Sequence, residues 1–251
     1  DSFLSLYANT RVVYAAKAYL GPSLARLVQD MGLGMDVVSG GELAVAQLVE
    51  FKAEGIFFHG NNKSSLELEQ ALQYGIGYIV VDNIHELQVL QSLASKIGRL
   101  QKILLRVSPG VDPHTHSYTT TGILDSKFGF PLSTGQAELA IKEANSATNL
   151  ELCGLHFHLG SPIFEVEPYT QAIDIVLQFL SKIKNVEDWF QVFSPGGGFA
   201  IAYTESQYPP RPMDYARAIV GSLVKGCAEH GLRQPELVIE PGRSITGPAG
   251  V

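Results

Sequence analysis

The chain has 251 residues, 45% of them hydrophobic, enough for one sizeable core and for one α/β barrel without demanding a second domain. Eighteen basic residues stand against twenty-five acidic ones, a net charge of −7 with no Lys/Arg cluster, which speaks against nucleic acid or an anionic membrane surface as a partner. Only two cysteines are present, no apolar stretch approaches the ~20 residues that span a bilayer, and the first residues lack a signal peptide's basic region, so the expectation is a cytoplasmic protein.

Short apolar runs alternate with helical spacing along the whole chain. The first run, 12–17, ends in Tyr14-Ala15-Ala16-Lys17, and Leu24, Leu27, Val28 and Met31 then fall on one helical face that stops at Gly32. Runs at 35–38 and 56–59 follow. A helix with Leu66, Ala71 and Leu72 on one face starts after Ser64-Ser65 and closes at Gly75. After a run at 78–81, Asp82 and Asn83 are possible caps for a helix over 84–97 that ends at Gly98. Further runs occupy 103–107, 152–158, 191–193 and 237–240. Cys153 lies in the third-last of these and reads as a buried, inert thiol. Eight apolar runs without polar alternation indicate parallel strands covered on both sides. Eight β-then-α units fit a closed TIM (β/α)₈ barrel better than an open sheet. The segment 108–130 is longer than an ordinary strand-to-helix loop, a length usually tied to function or disorder.

In such a barrel the chemistry belongs at the C-terminal ends of the strands. Lys17, at the end of the first run, would point into the barrel mouth, where desolvation would disfavour its ammonium as Schiff-base chemistry needs. After the seventh run, Gly196, Gly197 and Gly198 offer backbone N–H groups to a phosphate. After the eighth come Glu240, Pro241, Gly242 and Arg243, so acid, turn and guanidinium occupy the loop pair where barrels often bind phosphate. Glu240 would favour a protonated pyridine nitrogen, or else form an ion pair with Arg243. His156 and His158 share one face of the sixth strand. A metal is not expected there, since no acid or cysteine stands at matching spacing. An imidazole stacked on a planar cofactor, with Ser161 reaching its phosphate, or a hydrogen-bonded core histidine, are the other readings.

Several blocks, in order, resemble the diaminopimelate decarboxylases: Tyr14-Ala15-Ala16-Lys17-Ala18, Asp36-Val37-Val38-Ser39-Gly40-Gly41-Glu42-Leu43 and His59-Gly60-Asn61-Asn62-Lys63. His114-Thr115-His116, Thr121-Gly122, Ser126-Lys127-Phe128-Gly129, His158-Leu159-Gly160-Ser161, Gly196-Gly197-Gly198 and Glu240-Pro241-Gly242-Arg243 continue the series. The resemblance implies a fold-type III enzyme that uses pyridoxal 5'-phosphate to decarboxylate meso-diaminopimelate to L-lysine. On it, Lys17 carries the cofactor as an internal aldimine and His158 stacks on the ring. Ser161, Gly196 to Gly198 and the Pro241-Gly242-Arg243 turn hold the phosphate, and Glu240 pairs with the pyridine nitrogen. Arg243 also lies near the substrate, and Asp36, His59 and Arg106 are supporting pocket residues. The chain departs from the family pattern at Tyr19, Pro162, Ser194-Pro195 and Ala200.

Members of that family carry a further β-rich domain, mostly C-terminal, with a catalytic cysteine acting across a homodimer interface. The resemblance therefore implies that residues 1–251 are the barrel domain of a longer enzyme, since neither Cys153 nor Cys227 matches that cysteine. Two neighbouring readings on the same barrel stay open: a non-catalytic pyridoxal-phosphate carrier, and a decarboxylase of ornithine or arginine. An amino-acid racemase is a third.

Overall fold

The computed structural model describes residues 1–112 and 127–250. Eight strands, all paired in parallel, form a closed ring: β1 (Thr10–Ala15), β2 (Gly34–Val37), β3 (Ile56–Phe58), β4 (Tyr78–Val81), β5 (Gln101–Ser108), β6 (Leu150–His156), β7 (Val192–Ser194) and β8 (Glu236–Ile239). The ring shuts where Thr10 and Arg11 of β1 register with Leu237 and Val238 of β8. A two-residue segment, Phe130–Pro131, adds to β5 beside Val107 and Ser108. After a short α1 (Ser2–Leu6), one helix follows each strand: α2 (Pro22–Asp30), α3 (Gly40–Leu48), α4 (Ser65–Tyr74), α5 (Ile84–Ile97), α6 (Gln136–Ser146), α7 (Glu167–Leu180), α8 (Pro212–His230) and α9 (Arg243–Thr246). The expected TIM barrel is the observed one.

Two apolar layers hold it together. Outside the ring, residues such as Tyr14, Met35, Phe58, Ile79, Leu105, Leu155 and Phe193 pack under the helices. Their strand neighbours, offset by one residue, turn inward: Val13, Phe57, Tyr78, Val80, Leu104, Cys153, Val192 and Val238 form a second cluster within the barrel. A register shift opposite Ile103 and Leu104 lets β6 place Cys153 in that inner layer. Its thiol is buried, and burial pushes it up to about 12, the inert thiol expected.

Element edges depart from expectation where the strands open. β1 stops at Ala15, so Lys17 lies in a 3₁₀ turn, Ala16–Ala18, rather than in the strand. β3, β6 and β8 end at Phe58, His156 and Ile239, which leaves His59, His158 and Glu240 just past the ladder. Two helix faces also differ. Leu66 is exposed and α4 instead buries Leu68, Ala71 and Leu72, while α2 buries Ala25 and Val28 and leaves Leu27 and Met31 in solvent. The caps are as expected for α5, where the Asn83 side chain accepts the Glu86 N–H at 2.9 Å.

Candidate active site

The inner row of each strand changes character towards its C-terminal end. On six strands, a polar or small residue stands two positions beyond an inward apolar one. Val13 leads to Ala15, Phe57 to His59, Val80 to Asp82, Leu104 to Arg106, Val192 to Ser194 and Val238 to Glu240. On β2 the same row runs from Gly34 to Asp36. Period-two geometry thus converts a plugged barrel floor into a chemical mouth. Above it opens a cleft of about 360 Å³, whose walls include Lys17, Asp36, His158, Ser161, Tyr203, Glu240 and Arg243.

Glu240 is the hub. Its Oε1 accepts the Ser194 hydroxyl at 2.7 Å, and its Oε2 lies 3.2 Å from His156 Nε2. His59 Nε2 approaches Glu240 Oε1 at 3.5 Å and Asp36 Oδ1 at 3.8 Å, and its ring meets His156 edge-on at 4.7 Å between centroids. Burial drives the His59 and His156 imidazoles well below their ordinary value, with the Arg106 guanidinium adding to the effect at both. Burial, then the Glu240 carboxyl beside it, drives Asp36 well above the usual carboxylate range, and Lys17 opposes this. Asp36 Oδ1 has no hydrogen-bond partner. A buried acceptor left open on a cleft wall is suited to a ligand's donor.

Lys17 is held by its surroundings rather than by the strand. Tyr14 donates its hydroxyl to Tyr19 O at 2.5 Å, which staples the turn carrying the lysine. Lys17 is exposed on the cleft wall, so the expected desolvation is absent. Gly242 brings the β8 loop against this turn: a Cβ there would sit 3.0 Å from both Ala15 O and the Ala18 Cβ. His158 also lines the cleft, half-buried, its imidazole pushed down to about 3 by burial and then by Lys17. Its Nδ1 also lacks a partner.

The glycine loop is pinned from below. Ser194 Oγ accepts the Gly196 N–H at 3.1 Å, Glu240 N–H donates to Gly196 O at 3.0 Å, and Tyr169 donates to Gly197 O at 2.6 Å. A Cβ at Gly197 would lie 1.9 Å from Glu240 O, so no other residue fits that approach of the two loops. Arg243, the first residue of α9, donates from Nε to Ser161 Oγ at 3.1 Å and from Nη1 to the Tyr203 hydroxyl.

The sequence-predicted residues Lys17, Asp36, His158, Ser161, Gly197, Gly198, Glu240, Gly242 and Arg243 therefore meet in one cleft. Gly196, Pro241 and His59 lie directly behind it: Pro241 O accepts the Ala15 N–H at 3.1 Å. Arg106 is further back, 3.7 Å from Asp82 and 4.5 Å over the Phe128 ring. Glu240 faces the histidines and Ser194, and among the described residues no ion pair joins it to Arg243, which settles that alternative. Ser194 is not among the residues expected in the site, and His156 takes the hydrogen-bonded core position that is one reading of the histidine pair; each keeps the inward phase of its strand. The metal-like grouping among the described residues is His59, His156 and Glu240, with ligand atoms within 4.8 Å, not the His156–His158 pair. His114, Thr115, His116, Thr121, Gly122 and Ser126 lie outside the described residues.

The family described as pyridoxal-dependent decarboxylase, pyridoxal binding domain, matches residues 1–247. Diaminopimelate decarboxylase of Bacillus subtilis (strain 168) is 42% identical over 251 residues, covering 100% of this chain and 57% of that protein. Its counterpart in Halalkalibacterium halodurans is 43% identical over 252 residues, again covering 57% of that protein. The crystal structure of diaminopimelate decarboxylase from M. jannaschii aligns with a TM-score of 0.88 at 30% identity, over 97% of this chain and 58% of that one. Lysine/ornithine decarboxylase of Vibrio vulnificus, at 24% identity and a TM-score of 0.76, shares the fold. The chain spans a little over half the length of these relatives.

Proposed function

Since the chain belongs to the pyridoxal-dependent decarboxylases through their pyridoxal-binding domain, we propose that it forms the cofactor-holding part of an enzyme converting meso-diaminopimelate to L-lysine and CO₂. The single observation that carries this reading is the cleft that gathers an exposed lysine, a glycine cradle, an arginine and a buried carboxyl. The residues fit pyridoxal phosphate: the cradle is closed to any Cβ at Gly197, and Asp36 Oδ1 and His158 Nδ1 are buried without hydrogen-bond partners.

When bound, pyridoxal phosphate supplies an electron sink for the pair left behind when CO₂ departs. This chain's residues do the rest. Lys17 would provide the amine that holds the cofactor. Glu240 holds a proton at the pyridine nitrogen. Its neutral histidine neighbours add no competing positive charge, which keeps the carboxyl available for that proton. The N–H groups of Gly197 and Gly198, the Ser161 hydroxyl and the Arg243 guanidinium orient the phosphate, with Gly196 tied back to Ser194 beneath them. His158 shields one ring face from water, and Arg243 also meets the substrate. Asp36, His59 and Arg106 support the pyridine side of the pocket, with Pro241 shaping the turn.

The remaining catalytic groups belong to the longer protein, working as a cytoplasmic homodimer. Among the described residues no helix is long and apolar enough to cross a membrane. The test is CO₂ release by the full-length protein from meso-diaminopimelate, ornithine and arginine. Release from the first alone is expected, and Lys17→Ala is expected to abolish it together with the borohydride-reducible cofactor adduct. Release only from ornithine or arginine overturns the substrate, cofactor binding with no release at all points to a carrier, and an adduct that survives without Lys17 overturns its role.

A further inference from the structure

Arg243 brings a long, charged side chain to the phosphate end of the cleft, and its position is set by two loops other than its own. Its Nε donates to Ser161 Oγ at 3.1 Å, from the loop after β6. Its Nη1 donates to the hydroxyl of Tyr203, from the loop after β7. The guanidinium carbon lies 5.6 Å from the Tyr203 ring centroid. Tyr203 is itself anchored: its N–H donates to Gln207 Oε1 at 2.8 Å, and the Gln207 N–H returns to Thr204 O at 3.1 Å. Yet 59% of the Tyr203 surface is exposed, so core packing does not account for a large aromatic held in this way. Both side chains line the cleft beside Gly197, Gly198 and Gly242.

We infer that Tyr203 is a positioning residue for phosphate recognition: its hydroxyl and ring fix the Arg243 guanidinium over the glycine cradle before a phosphate monoester arrives. A free arginine loses its rotamer freedom only when the ligand binds, and that loss is subtracted from affinity. Two of the guanidinium N–H groups are engaged by Ser161 and Tyr203, which leaves three donors for an anion. Tyr203 supplies a neutral acceptor and a π-face, which attract the cation without competing with the phosphate as a carboxylate would. The inference rests on the cofactor reading above and adds a residue that reading does not use.

The test compares pyridoxal phosphate with pyridoxal, which lacks the phosphate, as ligands of the full-length apoprotein in wild-type, Tyr203→Phe and Tyr203→Ala forms. Tyr203→Ala is expected to weaken pyridoxal phosphate roughly tenfold, about what loss of one hydrogen bond to a charged group costs. Its effect on pyridoxal is expected to stay within about twofold, since the non-phosphate contacts are untouched. Tyr203→Phe, which keeps the ring and loses the hydroxyl, is expected to fall between. A general structural defect would weaken both ligands in parallel and leave their affinity ratio unchanged, which overturns the inference, as does an unaltered affinity for both. If the wild type binds pyridoxal phosphate no better than pyridoxal, the cofactor reading fails and this inference falls with it.

Discussion

Ser194 is fully buried, and its hydroxyl acts in both directions, donating to Glu240 Oε1 and accepting the Gly196 N–H. It thereby couples the hub carboxyl to the glycine loop through one oxygen. Ser194→Ala would strand a buried N–H and remove one donor from a buried carboxyl, at a cost of about 1–3 kcal/mol. Urea unfolding is the measurement, and a midpoint equal to wild type would refute the coupling. In the sequence this serine is only a polar residue ahead of Pro-Gly-Gly-Gly, at a departure from the family pattern. Glu240 and Arg243 were legible because charged groups flanking a Pro-Gly turn at a strand end are chemically conspicuous, and Lys17 because it is a charge closing an apolar run. Ser194, Tyr203 and the contact of His156 with Glu240 were not, because their partners arrive from other strands and loops. The burial of Lys17 was misjudged for a related reason: the strand it was assigned to ends two residues earlier.

Between elements, the most consequential contact is a buried ion pair. Lys63, in the loop after β3, places Nζ 2.8 Å from Glu86 Oε1 in the first turn of α5, and also donates to Gly60 O and Val80 O. One lysine thus ties the C-terminal ends of β3 and β4 to the next helix, immediately behind the pocket wall that carries His59. Burial raises the Glu86 carboxyl above its ordinary value and Lys63 opposes that shift, so the acid depends on its partner. Lys63→Met alone is expected to cost about 3–5 kcal/mol, as for a broken buried pair, whereas Lys63→Met with Glu86→Leu should recover most of it. A double-mutant cycle in urea decides this, and additive losses would exclude a coupled pair. The strands themselves were legible at this scale, as apolar runs bounded by turn residues. Their ends were not, because backbone bonding continues past the ladder: the His59 N–H still donates to Val37 O at 2.8 Å. The helical face of α4 was misread because Leu66 fits the spacing yet falls on the solvent side, with Leu68 taking the inner position.

For the molecule as a whole, eight β-then-α units made a barrel readable, but the sequence could not distinguish inward from outward residues. Both faces are buried along most of the ring, which erases the alternation that would mark them. Closure supplies that distinction, and with it a consequence for pH. The mouth concentrates His59, His156 and Asp36 within a few side chains of one another. The two histidines bind protons less readily when folded than when unfolded, where imidazole titrates near ~6.5. Their neutral-state stability is therefore complete above that pH and is lost as pH falls below it. Asp36 runs the other way. Its folded carboxyl is raised, so its contribution is full at low pH and declines as pH rises from the ordinary carboxylate range towards the folded value. Because the signs oppose, the wild-type pH profile alone cannot separate them, but a difference profile can. The stability of wild type minus that of His156→Gln should be flat above about pH 6.5, then fall by roughly 1.4 kcal/mol per pH unit below it, as one missing protonation requires. Urea unfolding of both proteins at pH 7.5, 6.5 and 5.5 measures this. A difference that stays constant across that range would mean His156 accepts its proton in the folded barrel, and that the neutral wall proposed beside Glu240 does not exist.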